Sequence, residues 1–486
     1  MKKLKNVTQG FSPDMSMQNV TQGFSPDIKP KGLNYSSDFC GFSNRLFLCI
    51  FLSLWFFILN FVVISPVYAM AGSNSIHETI LNNGLTIIYK QNRASQMVIM
   101  DMFIKGGIFY EDEDKSGITN LVGKLLLKGT INRSAEEISR EIEFMGGSIN
   151  TEVFNDFAEV WLIIPKRSFR QGLNIFADVL KAPVFPQDEI EKERKVVLAQ
   201  LKSQKDDIFT YTYNVFIDEL YNTFPYHRPV LGYEETVGVI TREDMVTYHR
   251  DFYAPNNMIL VIMGNLSFKE VLSAIDEEFG GILPVARTCG KTQSLTVQGE
   301  TFTITKESPF RQAYLMLGYL APEVSSPDYP SMKLINMLLG GRASSKIYVQ
   351  LREKMGLAYE LGSFYPSRKY QSQFVVYIGL SPDNIAKAKE NIIKEILKLS
   401  QCIPEQDLLD AKSSLIGKFI LDHQTLRKQA WYLGWFEVMG KGWQYDEKYP
   451  KEITNLTPDA IKRAISTYLK ENNWVCVEVI PATKQN

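Results

Sequence analysis

Short apolar runs and longer amphipathic segments follow one another along the chain from about residue 76 onward. The runs at 97–105 and 312–319 are rich in apolar residues and predict strands. Each run is followed by a segment whose apolar positions have helical spacing, at 117–127 and at 329–339. The pattern therefore predicts a chain in which strands and helices are interleaved.

The same order of elements occurs twice, with an offset of about 215 residues, which indicates a duplicated domain rather than a stack of short repeats. After the first helix of each half, a break that contains glycine leads into a second helix, at 135–144 and at 345–354. A later helix in each half begins just after a proline and carries acidic residues in its first turn, at 185–190 and at 403–408. The halves end in predicted strands at 258–263 and 474–480.

This order predicts the fold class α+β with two homologous domains, because the middle strands of each half read as hairpins. Each domain is expected to have a mixed or antiparallel sheet that is covered by helices on one face. The stretch 285–303 is polar and aperiodic, which is typical of a linker. The domains are accordingly placed at 76–284 and 304–486, and each is long enough to bury its own core.

Residues 1–71 differ from the rest of the chain. The nine-residue segment 6–14 recurs at 19–27, and two copies are too few for a stacked repeat. The run 46–64 is almost entirely apolar and is long enough to span a bilayer as a helix. Small residues at 67–71 are typical of a signal-peptidase site. The segment predicts an exported, periplasmic protein, with an inner-membrane anchor that faces the periplasm as the alternative.

Composition and charge exclude several classes of protein. Lys and Arg number 53 against 54 Asp and Glu, a net charge of −1, so the basic excess of a nucleic-acid-binding protein is missing. Five cysteines without a C-x-x-C pair exclude a disulfide scaffold and a multi-finger zinc protein. The four histidines are distant in sequence, and each is expected to be an ordinary hydrogen-bonded or surface residue: His77, His227, His249 and His423.

Seven short motifs stand out in the two halves, at 117–124, 127–130, 146–150, 193–198, 252–257, 339–345 and 351–359. Each motif is weak by itself, but in order and spacing they resemble the pitrilysin/insulinase family of inverted-zincin peptidases. The resemblance covers roughly residues 76–480. It is greatest to the two-chain bacterial branch of that family and to the mitochondrial processing peptidase.

Catalytic members of that family carry H-x-x-E-H on the first helix, and this chain has no such motif. Histidines at i and i+4 share one helix face and hold zinc, the glutamate acts as general base, and a later glutamate is the third ligand. Those positions here hold Asn120, Gly123, Lys124 and, for the distal ligand, Gln200. An asparagine is a poor zinc ligand, glycine cannot act as a base, and an ammonium repels the metal. The resemblance thus implies a chain that binds no zinc itself.

The second half retains another part of the family pattern. Active members use an arginine and a tyrosine, seven residues apart, from the half that faces the zinc, and Arg352 and Tyr359 have this spacing. A guanidinium and a phenol directed at a peptide carbonyl stabilise the oxyanion that forms during hydrolysis. In the alternative interpretation, Arg352 is a surface charge and Tyr359 is a core aromatic.

The resemblance implies a zinc-less subunit of a heterodimeric peptidase that hydrolyses unfolded peptides. Zinc and H-x-x-E-H are expected in a catalytic partner chain, to whose site Arg352 and Tyr359 would be supplied, and this chain alone would be inactive. The alternative is a purely structural or peptide-binding scaffold, in which the strand predicted at 148–153 offers an edge to an extended peptide. No nucleic-acid partner is expected, and membrane contact is expected only through 46–64.

Overall fold

The computed structural model describes residues 76–286 and 301–482 of the 486-residue chain. The leader, with its duplicated segment and the apolar run 46–64, lies outside the described residues, as does most of the predicted linker. Within the two described ranges, no helix is long and apolar enough to cross a membrane.

Between residues 76 and 286 the structure has six strands and eight α-helices. The strands are β1 (Ile76–Ile80), β2 (Thr86–Gln91), β3 (Met97–Lys105), β4 (Ser148–Val153), β5 (Phe157–Pro165) and β6 (Met258–Gly264). The helices are α1 (Ile118–Leu125), α2 (Ala135–Met145), α3 (Phe169–Lys181), α4 (Gln187–Gln204), α5 (Ile208–Tyr221), α6 (Glu234–Val239), α7 (Arg242–Phe252) and α8 (Phe268–Phe279).

Between residues 301 and 482 there are five strands, six α-helices and one π-helical turn. The strands are β7 (Phe302–Ser308), β8 (Ala313–Ala321), β9 (Ala358–Phe364), β10 (Ser372–Leu380) and β11 (Val475–Pro481). The helices are α9 (Tyr329–Leu339), α10 (Ile385–Gln401), α11 (Glu405–Asp422), α12 (Leu426–Val438), α13 (Tyr445–Asn455) and α14 (Pro458–Tyr468), and the π-helical turn is Tyr348–Lys354.

The two sheets have matching topologies. The first sheet has the strand order β1-β2-β6-β3-β5-β4, and the second has the order β7-β11-β8-β10-β9. In each sheet the last strand of the half pairs in parallel with one neighbour, β2 or β7, and the other pairings are antiparallel. The structure confirms the α+β prediction of two homologous domains with mixed sheets.

Strand β3 shows how both faces of the first sheet are buried. Its even-numbered residues, such as Met100 and Met102, belong to the core that the helices of the first half form. Its odd-numbered residues Ile99 and Phe103 belong instead to a core that contains Trp431 and other side chains of α12. Helices of the first half therefore cover one face of the first sheet, as expected, and helix α12 of the second half covers the other face.

The halves exchange one helix each. Helix α12 of the second half packs on β3 and β6, while α5 of the first half packs on β8 and β11. Glycines allow both close approaches: a Cβ at Gly434 would overlap the ring of Phe103, and one at Gly318 would overlap the ring of Phe216. A single described unit therefore contains both halves, and each half completes the burial of the other's sheet.

The boundaries of the predicted elements agree with the structure to within a few residues, apart from one segment. The second helix of the second half, predicted over 345–354, is mainly a π-helical turn, Tyr348–Lys354. The strand predicted over 312–319 corresponds to β8, Ala313–Ala321, and β7, Phe302–Ser308, was not predicted. The spacing of apolar residues in the sequence does not distinguish an α-helix from a π-helical turn of only seven residues.

Candidate functional site

Helix α1 carries the three residues of the altered zinc motif, and a buried carboxylate fixes where it begins. Glu111 accepts hydrogen bonds from the backbone N–H groups of Gly117 and Thr119, both at 2.9 Å. Gly117 has a φ of 97°, in the left-handed region that favours glycine. An anion at the N-terminus of a helix is stabilised by the unpaired N–H groups there, so α1 is firmly positioned.

The position of the general base is closed by the neighbouring strand. Thr151 of β4 donates its hydroxyl to the backbone carbonyl of Gly123 at 2.8 Å. A Cβ built on Gly123 would lie 2.7 Å from Cγ2 of Val153. A side chain at 123 would therefore require Val153 to shift, and the packing of α1 against β4 crowds the position of the base.

Helix α4 runs antiparallel to α1 along a ladder of charges. Lys128, just after α1, lies 3.0 Å from Glu193 and 3.6 Å from Glu189, and Lys124 lies 3.9 Å from Glu193. The hydrogen bond to Glu193 raises the pKa of the Lys128 ammonium. Because the helices are antiparallel, residues earlier in α1 lie opposite residues later in α4. Asn120, which precedes Lys124, therefore lies towards the end of α4 that carries Gln200.

The two amides at the ligand positions are buried in the packing. Asn120 Nδ2 and Gln200 Oε1 are both inaccessible to solvent and make no hydrogen bond within the described residues. The four altered positions lie on α1 and α4, which pack on each other, and α1 also packs on β4. These positions present two neutral amides, an ammonium and a glycine.

Zinc does not fit these residues. A zinc site needs three or four imidazole, thiolate or carboxylate ligands, and no group of three such side chains that could hold a metal occurs in the described ranges. The histidines lie apart; His249, for example, bonds the carbonyl of Leu180 through Nε2 at 2.9 Å. Burial lowers the pKa of His249 to about 4, so its imidazole is neutral.

The second half holds Arg352 and Tyr359 at its surface. The π-helical turn places Arg352 above the ring of Tyr348, with Cζ 5.2 Å from the ring centroid. Arg352 is exposed and makes no ion pair with any side chain in the described part of the chain. Tyr359 lies near the start of β9, an edge strand, and is 67% exposed. The interpretation of Tyr359 as a core aromatic is therefore wrong.

Buried leucines anchor the loop between these two side chains. Leu351, directly before Arg352, and Leu357, two residues before Tyr359, are both buried. The backbone N–H of Leu357 donates to the carbonyl of Leu351 at 2.9 Å. Gly356 turns the chain with a φ of 64°. The anchored turn keeps a cation and a phenol on the outside of the domain, where both can donate hydrogen bonds to an anion.

Sequence reasoning missed Tyr348, the ring beneath Arg352. Its only signal is an aromatic residue four positions before an arginine, which is a common side-chain pair on any helix. It also missed Val153, whose contact with Gly123 depends on the packing of β4 against α1.

Comparison with known proteins assigns both halves to one family. Residues 86–232 match the family described as Insulinase (Peptidase family M16), and residues 240–415 match the Peptidase M16 inactive domain. An uncharacterized zinc protease of Rickettsia felis is 25% identical over 388 residues, 78% of this chain and 92% of the relative. A similarly named protein of Bacillus subtilis is 24% identical over 344 residues, 71% of this chain and 83% of the relative.

Solved structures share the fold. A protease from Helicobacter pylori superposes with a TM-score of 0.78 at 22% identity, covering 84% of this chain and 100% of that one. A peptidase M16 inactive domain from Pseudomonas fluorescens gives a TM-score of 0.78 at 21% identity, with 85% and 99% coverage. The first half of a periplasmic protease from Escherichia coli gives 0.68 at 17% identity, with 84% and 92% coverage.

Proposed function

The chain belongs to the M16 (insulinase) peptidase family, and from this premise we propose that it is a zinc-less subunit of a heterodimeric peptidase. It would supply Arg352 and Tyr359 to the active site of a catalytic partner that carries H-x-x-E-H and zinc. The observation that carries the proposal is a contrast within the chain. In the first half a side chain at the position of the base would contact Val153, whereas the second half holds at its surface a phenol and a guanidinium that makes no ion pair within the described residues.

The chemistry that this chain contributes is stabilisation of charge. When a peptide bond is hydrolysed, the carbonyl oxygen gains negative charge in the transition state. The Arg352 guanidinium has donors that no described carboxylate engages, and the Tyr359 hydroxyl is a further donor. The buried Leu351 and Leu357 anchor the backbone of the turn that carries both side chains.

The substrate class and the compartment belong to the same proposal. Unfolded peptides of varied sequence suit this role, because a guanidinium and a phenol would donate to a carbonyl oxygen that every peptide bond carries. Export to the periplasm, with an inner-membrane anchor through 46–64 as the alternative, rests on the leader. The shared fold with a periplasmic protease of Escherichia coli is consistent with that location.

A second candidate function is a scaffold that binds peptides without taking part in their hydrolysis. Strand β4 favours it, because this strand pairs with β5 on one side and is the last strand of its sheet. An extended peptide could add to such an edge through backbone hydrogen bonds. A scaffold would not need Arg352 or Tyr359, so substitution of these residues distinguishes the scaffold function from the proposed role in hydrolysis.

The test is co-expression of this chain with an H-x-x-E-H chain from the same genome, followed by an assay of peptide hydrolysis. We expect activity only with both chains, and a loss of about 10²–10³-fold for Arg352→Ala with Tyr359→Phe, the magnitude for an oxyanion donor. Lys354→Ala, an exposed residue in the same turn, is the matched control and should retain activity. A partner that works equally well alone, or a double variant with full activity, would favour the scaffold.

A further inference from the structure

A buried group of ionisable side chains lies where α12 of the second half packs on the sheet of the first half. Asp101 of β3 and Glu159 of β5 are both fully buried. Arg427, in the first turn of α12, lies 3.4 Å from Asp101 through Nη1 and donates from Nη2 to Glu159. Trp431, one turn later, donates its indole N–H to Glu159 at 3.0 Å. These four side chains form the interface cluster.

The position of the interface cluster follows from strand register. In the β3–β5 pairing, Asp101 lies opposite Trp161 and Glu159 lies opposite Phe103, so both carboxyls point to the face that α12 covers. The Arg427 guanidinium lies 5.0 Å above the Trp161 ring. The acids come from one half of the chain and the cation from the other, so the interface cluster exists only when the halves are docked.

The charges of the interface cluster do not balance unless one proton is bound. Two fully buried carboxyls face one guanidinium, so the set carries a net negative charge unless one carboxyl is protonated. The surrounding charged groups are Glu152 of β4, Lys428 of α12 and, facing Lys428, Asp422. The neighbouring residues of β6 are apolar, and these are Ile259, Val261 and Met263.

We propose that Asp101, Glu159 and Arg427 form a proton-dependent latch that holds α12 of the second half on the sheet of the first half. With one proton bound, the three groups are neutral as a set, which suits a buried interface. Loss of that proton leaves a net negative charge in the interface, which is costly in a buried site. The latch is therefore tighter in mildly acidic solution and looser in alkaline solution, independently of any catalytic partner.

The direction of the pH dependence follows from the two acids. Burial raises the pKa of Asp101 to about 6, and burial together with the Asp101 carboxylate raises the pKa of Glu159 well above its ordinary value. In the unfolded chain both groups titrate near about pH 4. Above that pH the folded state holds protons that the unfolded state has lost, so stability falls as the pH rises through the folded pKa values.

The experiment compares the full chain with Glu159→Gln by urea unfolding from pH 5 to pH 8. Glutamine has the shape of the protonated acid, can accept from Trp431 and leaves Asp101 to pair with Arg427. We expect the unfolding constant of the wild type to rise relative to that of the variant by up to about tenfold per pH unit for each proton released. Other buried acids titrate in both proteins and cancel in the ratio.

Two further measurements keep the proposal falsifiable if unfolding is irreversible. Infrared spectra at neutral pH should show a protonated carboxylic acid that Glu159→Gln and Asp101→Asn each remove. Amide hydrogen exchange, corrected for intrinsic rates, should show that protection of α12 decreases from pH 6 to pH 8 while that of α8 does not. Glu78→Gln is the control variant for these measurements, because Glu78 is exposed and also joins the two halves by accepting a hydrogen bond from Trp443 at 2.9 Å. This variant should keep the infrared band and the pH dependence of the wild type. Parallel pH profiles, or a wild type without the infrared band, would overturn the latch.

Discussion

The equivalent segments after the first helix of each half differ in their local structure. In the first half, α2 is a regular helix with a capping box between Ser134 and Glu137, and it ends at the left-handed Gly146. In the second half, the corresponding segment is a π-helical turn that begins at Tyr348 and carries Arg352 outward. A π-helical turn has one more residue per hydrogen-bonded ring and is frequent at functional sites. The two halves thus share a topology but differ in local geometry at this segment.

The two candidate sites differ in the same way. The altered motif of the first half lies in the packing of α1, α4 and β4, where Asn120 Nδ2 and Gln200 Oε1 are buried and Lys124 lies 3.9 Å from Glu193. Arg352 and Tyr359 of the second half are exposed; buried leucines anchor the turn that carries them, and the Arg352 guanidinium lies over the Tyr348 ring. One half has thus become structural at this position, and the other has kept groups that can act on a ligand.

The strongest way to break this comparison is to reinstate a carboxylate at the position of the base. Gly123→Glu places a charged side chain against Val153, and overpacking together with a buried charge should cost about 3 kcal/mol or more of the free energy of unfolding. Gly238→Glu is the control, because Gly238 lies in a helix with open space around it. Urea unfolding that shows the two variants to be equally stable would mean that the first-half site is open.

A smaller effect is expected from the caps of the two equivalent segments. Ser134→Ala removes a hydroxyl that accepts from Glu137 N–H and should cost about 1 kcal/mol. Ser345 has a buried hydroxyl with no partner in the described residues, so Ser345→Ala should be neutral or slightly stabilising. Thermal unfolding of both variants checks this difference. Equal losses would show that the second-half segment is capped in the same manner as the first.

The smallest effect should come from the ring beneath Arg352. Tyr348→Leu removes a cation–π contact that contributes about 0.5–1 kcal/mol at an exposed site. In the co-expressed complex this predicts a reduction of about two- to fivefold in kcat at little change in KM, because the guanidinium remains but is less oriented. Tyr348→Phe keeps the ring and should retain activity. A Phe variant as impaired as the Leu variant would assign the effect to the Tyr348 hydroxyl instead.

The order of elements was predictable because each element carries its own local signal. Strand β3 and helix α9 have the predicted bounds, since apolar runs and helical spacing are properties of contiguous residues. The burial of both faces of β3 was not predictable. Its second face is covered by α12, more than 300 residues later in the chain, and no local pattern encodes that contact.

Residue types and spacing were enough to predict the duplicated α+β architecture and to show that Asn120, Gly123, Lys124 and Gln200 replace the zinc ligands and the base. Three features became visible only in the folded chain: Val153 of β4 crowds position 123, Tyr359 is exposed, and Arg427 contacts two buried acids. Each of these outcomes depends on which distant segments pack together. Packing is a property of complementary surfaces and buried charge, which short-range patterns do not contain.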